Sequence, residues 1–230
     1  MGTLVSYQPG PTAATITMDD GKVNALSPDM LAGINAALDQ AEADGKVVVL
    51  TGRPGILSAG FDLRVLQARD QQAAAMVRGG FELAARILAF PQPVVIACPG
   101  HAVAMGSFLL LSADYRIGAA GPYKITANEV AIGMTMPLAA IEICRQRLTT
   151  AHLTRVIALA EVFAPDDAAT AGFLDRVVPA GELAEAAAAA AAGLGALDRA
   201  AHAATKLRLR AGALALIRAD IEASGAAIEA

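Results

Sequence analysis

Cys98-Pro99-Gly100-His101-Ala102-Val103-Ala104-Met105-Gly106-Ser107-Phe108-Leu109-Leu110-Leu111-Ser112-Ala113-Asp114 is the stretch around which the chain is organised. A β-type run, Pro93-Val94-Val95-Ile96-Ala97, leads into it, and Pro99-Gly100 then breaks the strand. The small residues Ala102, Ala104 and Gly106 let the backbone come close to whatever lies opposite. From Met105 to Leu111 the sequence is apolar with no polar face, which predicts a short helix buried on all sides. Such a helix leaves its first N–H groups without partners and carries the positive end of its dipole there. An oxyanion would satisfy both.

Upstream, Leu4-Val5-Ser6-Tyr7 and Thr15-Ile16-Thr17-Met18 read as a strand pair linked through Pro9-Gly10-Pro11. Ser27-Pro28 fits a helix N-cap with proline in the first turn, and Met30, Leu31, Ile34, Ala37, Leu38 and Ala41 follow at helical spacing. Gly45 closes that helix. Val47-Val48-Val49-Leu50-Thr51 has no alternation, as expected of a strand buried on both faces of a parallel sheet. Gly52 to Gly55 then reads as a loop leading to Ser58-Ala59-Gly60-Phe61-Asp62-Leu63. A long helix is expected over 71–90.

Downstream, Tyr115-Arg116-Ile117 is a short strand, Gly121-Pro122 a turn, and 125–136 irregular. Pro137 opens a helical region to about 160, broken near Thr149-Thr150. Pro165 starts another helix, closed by Gly172, before the short strand Asp175-Arg176-Val177-Val178. The chain beyond Glu182 is helical in composition, its alanine tract 186–192 included. Strands alternating with helices indicate an α/β fold, with 1–178 as the core and 179–230 as a helical cap or oligomerisation region.

Composition narrows the function. The 230 residues can bury a sizeable core. The 55% hydrophobic content is largely alanine, and no run reaches the roughly 20 strongly apolar residues of a membrane span. The start lacks a basic segment followed by an apolar one, so secretion is not indicated. Cys98 and Cys144, without CxxC spacing, read as reduced buried thiols of a cytoplasmic protein. A net charge of −4 argues against nucleic acid as a partner. His101, His152 and His202 are too scattered for a metal site, and no GxSxG elbow, GxxxxGK[ST] or GxGxxG motif occurs. Lys206-Leu207-Arg208-Leu209-Arg210 reads as a solvated helix face, with a phosphate contact as the lesser alternative.

Three places carry candidate chemistry, each with an ordinary alternative. Ser58-Ala59-Gly60-Phe61-Asp62 can aim a backbone N–H into a pocket, or be a plain strand-to-helix loop with Asp62 as cap. Val103-Ala104-Met105-Gly106 can offer a second N–H, or simply be tight packing. Two such amides converging would form an oxyanion hole. Glu129, the lone acid between Asp114 and Glu142, sits among small and apolar residues. In a pocket it would have a raised pKa and serve as a general base; otherwise it is an exposed loop acid.

Taken in order and spacing, these segments resemble the crotonase (enoyl-CoA hydratase/isomerase) superfamily over nearly the whole chain. Lys22-Val23-Asn24-Ala25-Leu26-Ser27 is similar to the family's N-A-L segment, and Ser58-Ala59-Gly60-Phe61-Asp62-Leu63 to its S-A-G-x-D-L loop. Pro99-Gly100-His101-Ala102 through Gly106, ending in Ser112-Ala113-Asp114-Tyr115-Arg116, resembles N-G-x-A-x-G-G-G…C-D-x-R. Asn128-Glu129-Val130-Ala131-Ile132-Gly133 resembles P/N-E-x-x-x-G, and 171–178 the A-x-x-x-G-L-V-x-x-V-V region.

The resemblance implies a ββα spiral core with a C-terminal helical region, assembled as trimers or dimers of trimers. It implies an acyl-CoA thioester substrate, with coenzyme A as part of that substrate and no other cofactor. The thioester oxygen would meet the N–H groups of Phe61 and Met105. Substrate would lie along Lys22, Ala25, Ala59, Phe61, Asp62, Leu63, Arg64, Met105 and Phe108. The family's hydratases use two glutamates; the first position falls here on Phe108, and the second is Glu129. That pattern resembles the Δ3,Δ2-enoyl-CoA isomerases, which shift a double bond with one base. Hydration in fatty-acid β-oxidation and a catalytically silent acyl-CoA-binding protein are the alternatives. A nucleic-acid-binding relative is disfavoured by the acidic charge.

Overall fold

The computed structural model describes residues 3–229, and side chains as far as 223. Its first helix, α1 (Pro28–Ala43), shows how closely local chemistry is obeyed. The Ser27 side chain accepts the Met30 N–H, and Met30, Leu31, Ile34, Ala37, Leu38 and Ala41 are the buried face. Gly45, at φ +60°, follows the helix end.

Before α1, β1 (Val5–Pro9) and β2 (Ala13–Met18) pair antiparallel. Pro9 extends the first strand, so the link is tighter than the sequence implies. After α1 the chain repeats one unit three times. Each turn lays down a strand in a large sheet, then a shorter strand in a small one, then helix. The first turn is β3 (Val47–Thr51), β4 (Gly55–Ser58), α2 (Leu63–Ala68) and α3 (Gln71–Ala89). The second is β5 (Val94–Cys98), β6 (Gly100–Val103) and α4 (Met105–Ser112). The third is β7 (Tyr115–Ala119), β8 (Ile125–Thr126), a 3-10 turn at Val130–Ile132 and α5 (Leu138–Arg145). Then come α6 (Thr150–Ile157), α7 (Pro165–Ala171), β9 (Arg176–Val178), a 3-10 turn, α8 (Leu183–Leu194) and α9 (Arg199–Glu229). The large sheet runs β1-β2-β3-β5-β7-β9, parallel except for the first pair; the small one runs β4-β6-β8, all parallel. This is the ββα spiral.

The small sheet corrects the sequence reading. Gly52 to Gly55 read as a loop, Pro99-Gly100 as a strand break and 125–136 as irregular, yet each of these stretches gives residues to a strand. These strands have only two to four residues and include Gly55, Gly100 and His101, so neither length nor β-propensity marks them. Gly100 is needed because a Cβ there would run into the Gly55 carbonyl.

The large sheet is buried on both faces, which explains its unpatterned strands. Val48 and Leu50 face the main core with α1, α3, α4 and α5. Val47 and Val49 face a smaller core closed by Leu183, Ala187 and Ala191 of α8. All eight residues of α4 are buried. The last helix packs against α3 and α5, and there a second correction arises. Leu207 and Leu209 are exposed, whereas Lys206 and Arg210 are only 5% and 4% accessible. They turn inward because Asp114 is there to receive them, at 2.6 and 3.0 Å. No helix among the described residues is long and apolar enough to cross a membrane.

Candidate active site

The N-terminus of α4 is where three separate segments meet. The first is built outward from Asp20, whose carboxylate accepts the N–H groups of Lys22, Asn24 and Ala25 at 2.7–2.9 Å. Desolvation pulls the Asp20 pKa upward, but these bonds and Arg53 outweigh it and hold the carboxyl below its ordinary value. Asn24, fully buried at φ +50°, donates to the Met18 and Leu57 carbonyls. Residues 23–26 are thereby laid against 58–61. The Ala59 N–H meets the Val23 carbonyl at 3.0 Å and the Leu26 N–H meets that of Gly60 at 2.8 Å. The buried Ser58 hydroxyl donates to the Asn24 carbonyl and accepts the Gly60 N–H.

The second segment is the helix start. Gly60 lies directly on it: a Cβ there would stand 2.9 Å from the Ala104 Cβ and 3.3 Å from the Met105 nitrogen. The third is the strand before Glu129, joined by the Ala104 N–H to the Thr126 carbonyl at 3.0 Å. Ala104 adopts φ +51°, ψ −128°, a conformation that costs on the order of 1–3 kcal/mol in a residue with a Cβ. No side chain caps α4. The N–H groups of Phe61 and Met105 have no acceptor among the described residues. The two loops named in the sequence are therefore adjacent.

Glu129 is 7% exposed, and its Oε2 has no hydrogen-bond partner. Burial raises its pKa, opposed only in part by its own backbone N–H. The exposed-acid alternative is therefore excluded. Thr126 Oγ1 and Asn128 Oδ1, just before it, are also buried without partners. Cys144 of α5 is close enough that the Glu129 charge, after burial itself, helps push its thiol pKa up.

Opposite in character is an aromatic wall. Phe108, one turn into α4, stacks on Phe81 at 6.2 Å, and Phe81 meets Phe61 edge-on at 6.5 Å. The Phe61 ring fills the space a Cβ on Gly80 would need. Phe81 and Gly80 were not singled out in the sequence. Their signal was Gly79-Gly80 inside a helix, where each glycine costs about 1 kcal/mol relative to alanine.

The remaining candidates lie on the outer side. Lys22 is exposed, Ala25 and Ala59 are half-buried, and Leu63 is 60% exposed. Asp62 caps α2 through the Arg64 N–H and pairs with the exposed Arg64 guanidinium at 3.0 Å. That pairing, with backbone N–H bonds, outweighs burial and lowers the Asp62 pKa. Among the described residues no cluster of His, Cys, Asp or Glu could hold a metal ion.

The chain has counterparts among known proteins. Residues 10–223 match the family model described as enoyl-CoA hydratase/isomerase. The chain is 30% identical over 181 residues to human mitochondrial enoyl-CoA delta isomerase 1, covering 76% of the chain and 60% of that protein's length. It is 31% identical to a putative enoyl-CoA hydratase of Thermus thermophilus, over 79% of the chain and 74% of the relative. Among solved structures, an enoyl-CoA hydratase/isomerase family protein from Pseudomonas syringae superposes with a TM-score of 0.95 at 52% identity, covering 96% of each chain. An enoyl-CoA isomerase of Mycobacterium tuberculosis gives 0.94 at 49% identity, covering 98% of this chain and 99% of the other. A second structure of that mycobacterial protein is described as a probable hydratase. The chain belongs to the enoyl-CoA hydratase/isomerase family.

Proposed function

We propose that this chain shifts the double bond of a 3-enoyl-CoA to the 2-position, with Glu129 as its one base. The observation that carries the reading is the pairing of a buried carboxylate with two free amides. Glu129 retains an unpartnered oxygen, while Phe61 and Met105 present N–H groups at the head of α4. Asp62, next to Phe61, is engaged with Arg64.

Glu129 takes a proton from C2 of the 3-enoyl thioester. The C–H electrons move into the thioester carbonyl, and the enolate oxygen accepts the Phe61 and Met105 N–H groups, each worth roughly 3–4 kcal/mol in the transition state. Glu129 returns the proton at C4, and the carbonyl re-forms conjugated with the new C2–C3 bond. No redox partner or metal enters. A raised pKa suits this work, because a base near the operating pH both takes and gives a proton readily. The substrate extends from the amides past Ala25 and Ala59, with Lys22, Leu63 and Arg64 toward the coenzyme A end. Assembly as trimers and a place in fatty-acid metabolism belong to the same proposal.

Hydration is the second reading, since relatives named as hydratases match about as well as those named isomerases. It is disfavoured because water addition needs an acid and a base about the same bond, and Phe108 moves no proton. The test is Glu129→Gln. It should lower turnover of a 3-enoyl-CoA by roughly 10²–10⁴-fold with acyl-CoA affinity retained. An active variant ends the assignment.

A further inference from the structure

The far end of α4 opens onto a cavity of about 530 Å³, remote in the chain from the loops just described and lined by Asp114, Arg147, His202, Lys206, Leu209 and Arg210 among others. Its charges do not balance. Asp114 serves both Lys206, at 2.6 Å, and Arg210, at 3.0 Å. Arg116 nearby is neutralised by its own partner, Asp175, at 2.6 Å. Arg147 makes no ion pair among the described residues. One of its terminal nitrogens donates to the Ala113 carbonyl at 2.6 Å, and its Nε is buried without a partner. Two of the three cations Arg147, Lys206 and Arg210 thus share the half-buried Asp114 carboxylate, and the third pairs with none among the described residues.

Helix ends offset part of the excess. Arg210 also donates to the Leu88 carbonyl at the end of α3, and Arg147 caps α4. Each helix terminus is equivalent to about half a negative charge. Roughly one positive charge remains uncompensated. Asp198, exposed at the rim with its carboxylate accepting the Ala201 N–H at the start of α9, keeps its negative charge but faces solvent, which screens it from the buried cations. The strain shows in the lysine: burial first, and then Arg210 and Arg147, bring the Lys206 pKa down to about 8 against the pull of Asp114. Beside these groups His202 Nε2 is buried and unpartnered.

We propose that this cavity is an anion site that takes a phosphoryl group between Arg147, Lys206 and Arg210. A guanidinium with a free Nε offers the fork that phosphate oxygens fit, and the imidazole supplies a further polar contact. The volume accommodates inorganic phosphate or the phosphoryl end of a small organic phosphate. The site is independent of the thioester chemistry.

The test is isothermal titration of the full chain with inorganic phosphate and, separately, with glycerol 3-phosphate, in chloride at matched ionic strength. Saturable binding of either is expected, weakened at least tenfold in R147M; the tighter of the two identifies the source. L209E serves as the second variant, because Leu209 is 78% exposed on the rim and its change leaves the core intact. It places a carboxylate at the mouth and should abolish binding. No heat with either anion, or heat unchanged in L209E, overturns the site.

Discussion

At its C-terminal end α4 runs into Asp114, whose carboxylate pairs with Lys206 and Arg210, while Arg147 donates to the Ala113 carbonyl. At its N-terminal end it begins with no side-chain cap, a strained Ala104 and amides without an acceptor among the described residues. Both ends are buried, so the contrast is not one of solvent access. Charged side chains from α9 and from the turn after α5 gather at one end, and three loops frame the other. An uncapped, strained helix start would simply be a defect in a protein selected for stability alone. Beside a buried carboxylate it fits the oxyanion-binding role proposed for it.

This comparison can be broken by mutation at either end. The largest effect is expected at the charged end. Asp114→Asn leaves Lys206 and Arg210 buried without their carboxylate, and should lower unfolding free energy by about 3–5 kcal/mol in a denaturant titration. Turnover at temperatures where the variant is folded should hold. A loss of activity without a loss of stability would mean that the two ends are not separate in role.

Gly60→Ala should do the reverse. Its φ of +93° and the close Ala104 and Met105 atoms leave no relaxed position for a Cβ. The variant should lose roughly 10²–10³-fold in kcat, as for one misaligned oxyanion donor. Its stability should fall by only about 1–2 kcal/mol.

The smallest effect concerns Glu129 and sharpens the contrast through pH. Its folded pKa is raised, so its contribution to stability is full below the ordinary glutamate value and declines as pH rises through the raised one. Glu129→Gln should therefore melt higher than the parent at neutral pH, with the gap closing toward pH 4. For the parent, kcat/KM should fall on the acid side at a pH above the usual carboxylate range. A variant that melts lower at pH 7 would show that the carboxylate has a partner.

Much of the framework was legible in the sequence. The buried face of α1 and the all-apolar α4 follow from spacing alone. The Gly172 that ends α7 is marked by residue type, and the structure gives it φ +102°. The small sheet was not legible, because its strands are short and pair across the spiral. The site was readable only in parts. The loops holding Phe61 and Met105 can each offer an amide, but 44 positions separate the two residues and nothing local says the loops touch. Lys206 and Arg210 were misread as a solvated face because Asp114, 92 positions earlier than Lys206, sets their orientation. Local pattern gives helices reliably; pairings between distant segments decide both the site and the buried charges.

The most direct test of the central claim follows ultraviolet absorbance while the purified protein acts on a 3-enoyl-CoA, with crotonyl-CoA hydration assayed in parallel. One base at Glu129 and an apolar Phe108 predict rapid appearance of the conjugated 2-enoyl thioester and no comparable hydration. Hydration at a similar rate would contradict the account, since it would require a second acid at the head of α4.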